Sequence, residues 1–156
     1  MKKRYLIFLL ALVLSSCYQN KPLKKVTLNH IKGKQDTFVV AGTKYDFLNA
    51  EFVESIGSKT PNSGVYLVVN MRVTNVDNHP RSARPFTYGT MVYDSKKNYY
   101  QYDYDLSKEV GPLPSLLPGG SGTFSLVFNV PDQSRSYELE IQDWGGGGRG
   151  HRISLQ

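Results

Sequence analysis

Residues Val65-Tyr66-Leu67-Val68-Val69-Asn70-Met71-Arg72-Val73-Thr74 alternate with period two. Val65, Leu67, Val69, Met71 and Val73 share one face, while Tyr66, Asn70, Arg72 and Thr74 make the other mostly polar. Helix burial repeats every three or four residues, so this run reads as a strand with one face on a core. The pattern recurs in Gly122, Phe124, Leu126, Phe128 and Val130, and again in Tyr137, Leu139 and Ile141. Weaker strands are read at Val26–His30, Thr37–Ala41, Tyr45–Ile56, Thr90–Asp94, Tyr99–Tyr102 and Arg152–Leu155. In Tyr45–Ile56 the apolar phase switches between Phe47 and Leu48, which predicts a β-bulge.

Gly, Pro, Asn and Asp clusters separate these runs, at Ser58–Gly64, Asp77–Pro85, Gly111–Gly120 and Gly145–Gly150. No long helical period appears. Leu113–Leu117 has room for one short turn, limited by Pro112, Pro114 and Pro118. Seven to nine short strands, the strong ones with one apolar face each, predict an all-β fold, an antiparallel immunoglobulin-like β-sandwich. There is no internal repeat and no sign of a second domain.

The first residues do a different job. Lys2, Lys3 and Arg4 precede an uncharged apolar run from Tyr5 to Leu14, followed by Ser15, Ser16 and Cys17. The run is shorter than the roughly 20 residues a membrane-spanning helix needs. A basic head, a short apolar centre and small residues at the end describe a secretory signal. Cys17 is the only cysteine in the chain, so no internal disulfide exists. Residues 1–16 read as a signal peptide, 17–25 as a lysine-bearing tether and 26–156 as the β-sandwich domain. Cleavage before Cys17 removes Lys2, Lys3 and Arg4 and lowers the formal net charge from +6 to +3. A mildly basic domain is a weak argument for nucleic acid, and none is expected as a partner.

A search for chemistry yields little. Gly145-Gly146-Gly147-Gly148-Arg149-Gly150 satisfies a dinucleotide-binding spacing, but that motif needs a helix behind it, and only six residues remain. His30, His79 and His151 are scattered, with no pair at metal-ligand spacing. Asp103 and Asp105 share one face if the strand continues through Tyr104, but two carboxylates fall short of a calcium shell. Gly119-Gly120-Ser121-Gly122 lies in a turn and makes no nucleophile elbow. No enzymatic activity and no cofactor are expected. Tyr99-Tyr100-Gln101-Tyr102-Asp103-Tyr104-Asp105, with Tyr88, Tyr93 and Trp144, suggests an aromatic platform, since tyrosine offers apolar area with a polar tip.

Two resemblances add to this reading. Leu14-Ser15-Ser16-Cys17 resembles the lipobox of bacterial lipoproteins, which implies cleavage after Ser16, a diacylglycerol on the Cys17 sulfur and an anchor in the bacterial cell membrane. Tyr18 after the cysteine is not the aspartate associated with inner-membrane retention, which implies the outer membrane if the organism is diderm. The second is carried by Val65 to Asn75, Met91-Val92-Tyr93-Asp94, Leu117 to Gly122 leading into Phe124–Pro131, and Tyr137-Glu138-Leu139. These are similar to a family of bacterial immunoglobulin-like lipoprotein domains that resemble the mycobacterial immunoprotective extracellular antigen, some members carrying the label telomeric repeat-binding factor. The resemblance implies a fold and an envelope location, and no catalytic residue.

The function expected is a membrane-anchored, non-enzymatic lipoprotein whose domain binds a protein in the envelope or outside the cell. A carbohydrate- or small-ligand-binding module is the alternative. Trp144 and Arg149, with Tyr100, Tyr102 and Tyr104, are the candidate contact residues, because tryptophan, tyrosine and arginine are enriched in interface hot spots.

Overall fold

The computed structural model describes residues 25–31, 37–40, 42–82, 89–142 and 150–155. Its centre is the strand with the cleanest alternation. β4 (Val65–Asn75) lies between β3 (Thr43–Ile56) and β9 (Ser121–Val130), antiparallel to both. β1 (Lys25–Ile31) and β2 (Thr37–Val40) follow one another along the far side of β3, completing a five-stranded sheet. The second sheet has the order β11-β10-β6-β7, from His151–Leu155, Tyr137–Ile141, Met91–Asp94 and Tyr99–Gln101. β5 (Arg81–Ser82) and β8 (Ser115–Leu116) form a small ribbon beside them.

The two sheets face each other across one core. Leu67, Val69, Met71 and Val73 from β4 are fully buried against Val92, Leu139 and Ile153 of the other sheet. The phase switch in β3 is a bulge: Phe47 pairs with Met71 and Asn49 with Asn70, leaving Leu48 without a partner. Tyr45 and Phe47 point into the core before it, and Ala50 and Phe52 after it.

β3-β4-β9 facing β11-β10-β6-β7 is the immunoglobulin arrangement, A-B-E against G-F-C-C′. The crossing from β9 to β10 carries another mark of that fold. The Tyr137 hydroxyl donates to the Asp132 carbonyl at 2.6 Å, closing the corner between the sheets. Burial pushes the Tyr137 phenol up to about 12.

Two readings are corrected. No helical turn forms at Leu113–Leu117, where Ser115–Leu116 is a strand. The helix is instead α1 (Tyr104–Val110), so the strand does not continue through Asp103 and Asp105. Asp103 is the N-cap, its carboxylate accepting from Leu106 N at 2.9 Å, which gives one of the unpaired N–H donors at the helix start an acceptor. Asp105 in the first turn and Lys108 in the last complement the helix dipole, and Gly111 with Pro112 ends it.

α1 lies on the outer face of the five-stranded sheet. Leu106 there meets Val53, Ile56, Tyr66, Val68 and Val127, a second, smaller core. The outer face of β4 is therefore polar only from Asn70 onward, and Tyr66 and Val68 are covered. The same segment caps the free edge of β9. Asp103 N donates to the Val127 carbonyl (2.7 Å), Val127 N donates to the Ser107 hydroxyl (2.9 Å), and Ser125 N donates to the Gly111 carbonyl (3.0 Å). An uncovered edge of this length is a template for unwanted pairing.

Candidate functional site

The tyrosine run does not form one platform, because strand alternation divides it. Tyr100 pairs with Val92 and points inward, its ring edge-on to Tyr137 at 6.4 Å. Tyr99 pairs with Tyr93 on the opposite face, 62 % exposed, and the Arg152 guanidinium lies over the Tyr93 ring at 5.4 Å. Tyr88, Trp144 and Arg149 lie outside the described residues, as do Cys17 and the signal segment.

Tyr100 belongs to a polar node around Asp94, whose carboxylate is fully buried. Its oxygens accept from the backbone N–H of Lys96 and Asn98, from the Asn98 amide, from the Tyr100 hydroxyl and from Arg135 Nη1 at 2.7 Å. Burial alone raises the carboxyl, but the donors of Asn98, Arg135 and Tyr100 outweigh it and hold it well below the usual carboxylate range. Burial and the bond to Asp94 push the Tyr100 phenol up. Every lone pair here has a partner, so the node fixes the β6–β7 turn and has no valence left for a ligand.

Tyr102 and Tyr104 are brought together. Tyr102 forms a bridge to Phe128 of β9, their rings edge-on at 6.5 Å, and Tyr104 opens α1 at 44 % exposure. They line a cleft of about 100 Å³ with Ser107 and Lys108 of α1, the Gly111–Leu113 segment, and Ser125 and Leu126 of β9. Gly111 is required for the cleft, since a Cβ there would lie 2.6 Å from Ser125 Oγ and 2.9 Å from Ser125 N. The Ser125 hydroxyl bonds Asn70 and the Ser107 hydroxyl bonds the Asp103 carbonyl, so neither is a spare nucleophile. The remaining chemistry is aromatic contact, apolar burial and donation from a phenol or the exposed Lys108.

Sequence reading missed Ser107, Lys108, Leu113 and Leu126 as lining residues. The available signal was Asp103 followed by Leu106 and Val110 and then Gly111-Pro112, a capped two-turn helix rather than a strand. Among the described residues no three His, Cys, Asp or Glu side chains come close enough to hold a metal ion. Among the same residues no helix is long and apolar enough to cross a membrane.

Residues 32–150 match the sequence family described as "Domain of unknown function (DUF4352)". No curated protein matches the chain. Several solved structures do. A conserved hypothetical protein from Bacillus anthracis is 13% identical, covering 85% of this chain and 100% of that one, with a TM-score of 0.60. A Bacillus subtilis protein described as "a putative lipoprotein (ycdA)" is 17% identical at a TM-score of 0.57, over 78% of this chain and 39% of that one. An uncharacterised β-sandwich protein from Clostridium difficile 630 is 12% identical at 0.54, over 87% and 100%. At these identities the likeness speaks for the fold alone.

Proposed function

This chain belongs to the DUF4352 family of domains of unknown function, and from that premise we propose that it is an envelope lipoprotein, anchored through Cys17, whose sandwich binds a protein partner without catalysis. The observation that carries the binding is the cleft between Tyr102 and Tyr104. At about 100 Å³ it is well below the roughly 300–1,000 Å³ typical of small-ligand sites. It suits one inserted side chain, the way a protein partner anchors itself in a hot-spot pocket. A saccharide is the second reading, favoured by the two tyrosine rings and opposed by the size of the cleft. The anchor rests on Leu14-Ser15-Ser16-Cys17 behind its basic, apolar leader, and the lipoprotein description of the Bacillus subtilis neighbour supports an envelope location.

The test uses the full chain. Cys17→Ala should give an uncleaved precursor without lipid label, and normal acylation of that variant would sink the anchor. A partner cross-linked to the parent in envelope membranes should bind Tyr104→Ala roughly ten-fold or more weakly, as expected for a hot-spot residue. If Tyr104→Ala melts like the parent and binds equally well, the cleft is not the contact. Arg149→Ala is the parallel arm for the Gly145–Gly150 segment. A glycan array that captures the parent and not Tyr104→Ala would favour the saccharide.

A further inference from the structure

An immunoglobulin-type first strand begins at the same end as the loops that follow the second and precede the last. β3 keeps that rule, because Thr43 pairs with Asn75, where β4 ends. Thr74 and Ser121, and Ile141 and His151, stand at this loop end as well. Val76 and Leu117 are exposed there, Leu117 at 72 %.

β1 and β2 change where the chain enters. Both run antiparallel to β3, from Lys25 opposite Ile56 to Val40 opposite Thr43. The described chain therefore begins at the other end of the sandwich. Ile56 with the turn to Val65, Val130 with the corner to Tyr137, Asp94 and Leu155 all lie at that entry end. Without β1 and β2, a tether would leave from the loop end.

The charge at the entry end is uneven. Lys96 and Lys97 are exposed in the β6–β7 turn. Two carboxylates at this end, Asp94 and Asp132, are both engaged by Arg135, at 2.7 and 2.9 Å. One guanidinium offsets only one of those two carboxylates, and Glu138, its side chain 46 % exposed, also stands at this end, so its cationic character is local to the Lys96–Lys97 turn.

Resting on the Cys17 anchor proposed above, we infer that the β1–β2 run seats the domain upright on the bilayer. The Lys96–Lys97 turn meets anionic headgroups, and the loop end with Val76 and Leu117 faces away. Lengths decide against inversion. The roughly eight steps from Cys17 to Lys25 reach at most about 29 Å when fully extended. β4, at 11 residues, spans roughly 36 Å. A tether shorter than the sandwich cannot turn it over, which leaves upright and flat as the alternatives. Juxtamembrane lysines are drawn to an anionic surface, which favours upright.

The experiment places a fluorophore on the full-length, acylated protein. An acylated Cys17 has no free thiol, so Asn62→Cys at the entry end or Leu117→Cys at the loop end is the single labelling site. Vesicles contain phosphatidylcholine with or without phosphatidylglycerol, and a nitroxide on some headgroups quenches nearby labels. Asn62→Cys should be quenched several-fold more than Leu117→Cys. Phosphatidylglycerol should widen that difference, and Lys96→Glu with Lys97→Glu should abolish the widening. Equal or reversed quenching in protein that floats with the vesicles overturns the orientation. A widening that is absent, or that survives the lysine reversal, overturns the headgroup contact. Protein that does not float at all overturns the anchor itself, and the orientation with it.

Discussion

Asp94 is a carboxylate surrounded by donors, and its titration has a sign. Its folded pKa is depressed, so its contribution to stability is present above the unfolded value of about 3.9 and is lost as pH falls through the folded value. The melting temperature of the parent should fall below about pH 4 more steeply than that of Asp94→Asn, which should already melt lower at neutral pH. Curves that run parallel from pH 7 to pH 3 would refute the role assigned to the node. Two glycines make a second comparison at this scale. Gly64 has φ +76 and Gly119 φ +73, the left-handed region that penalises a Cβ equally in both. Around Gly119 nothing lies within 4 Å, but a Cβ on Gly64 would meet the Val130 carbonyl at 2.1 Å. Gly119→Ala should cost about 1–2 kcal/mol and Gly64→Ala about 3 kcal/mol or more in urea unfolding. Equal costs would show that backbone conformation alone decides both sites.

At the level of elements, α1 and β9 depend on each other. The Ser107 hydroxyl both donates to the Asp103 carbonyl and accepts from Val127 N. Ser107→Ala leaves that amide without its partner, a loss only partly offset by alanine's better helix propensity. The net cost should be about 1–2 kcal/mol, with faster hydrogen exchange at Val127. Lys108→Ala, one residue on and exposed, should be within about 0.5 kcal/mol of the parent. Unchanged Val127 exchange in Ser107→Ala would show that α1 does not seal the edge. The strands themselves were legible because alternation is strong where one face is apolar, as in β4, β9 and β10. Even the β3 bulge was visible as a break in phase at Leu48. α1 was not, because Tyr102, Tyr104 and their neighbours have strand propensity and the helix has only Leu106 and Val110 as apolar contacts. What made it a helix was the cap at Asp103 and the β9 edge it covers, and the second of these is not local in sequence.

For the whole molecule, the two-sheet architecture followed from counting half-buried strands and their turns, whereas the grouping of site residues did not. Tyr100, Tyr102 and Tyr104 are two residues apart in sequence, yet one ends on Asp94 and the other two in a cleft. The pairing of β4 with a strand far along the chain has a consequence for how the molecule is assembled in time. Asn49 and Asn70 on β3 and β4 are 21 residues apart, while Thr74 and Ser121 on β4 and β9 are 47 apart. Closing the longer loop costs roughly 0.6 kcal/mol more for each doubling, so the β3–β4 hairpin has the entropic advantage and β9 joins it later. α1 has little to rest on until then, since Leu106 needs Val127 as well as Val68. The cleft therefore forms only after β9 has docked, and substitutions in α1 should hasten unfolding while leaving the folding rate nearly untouched.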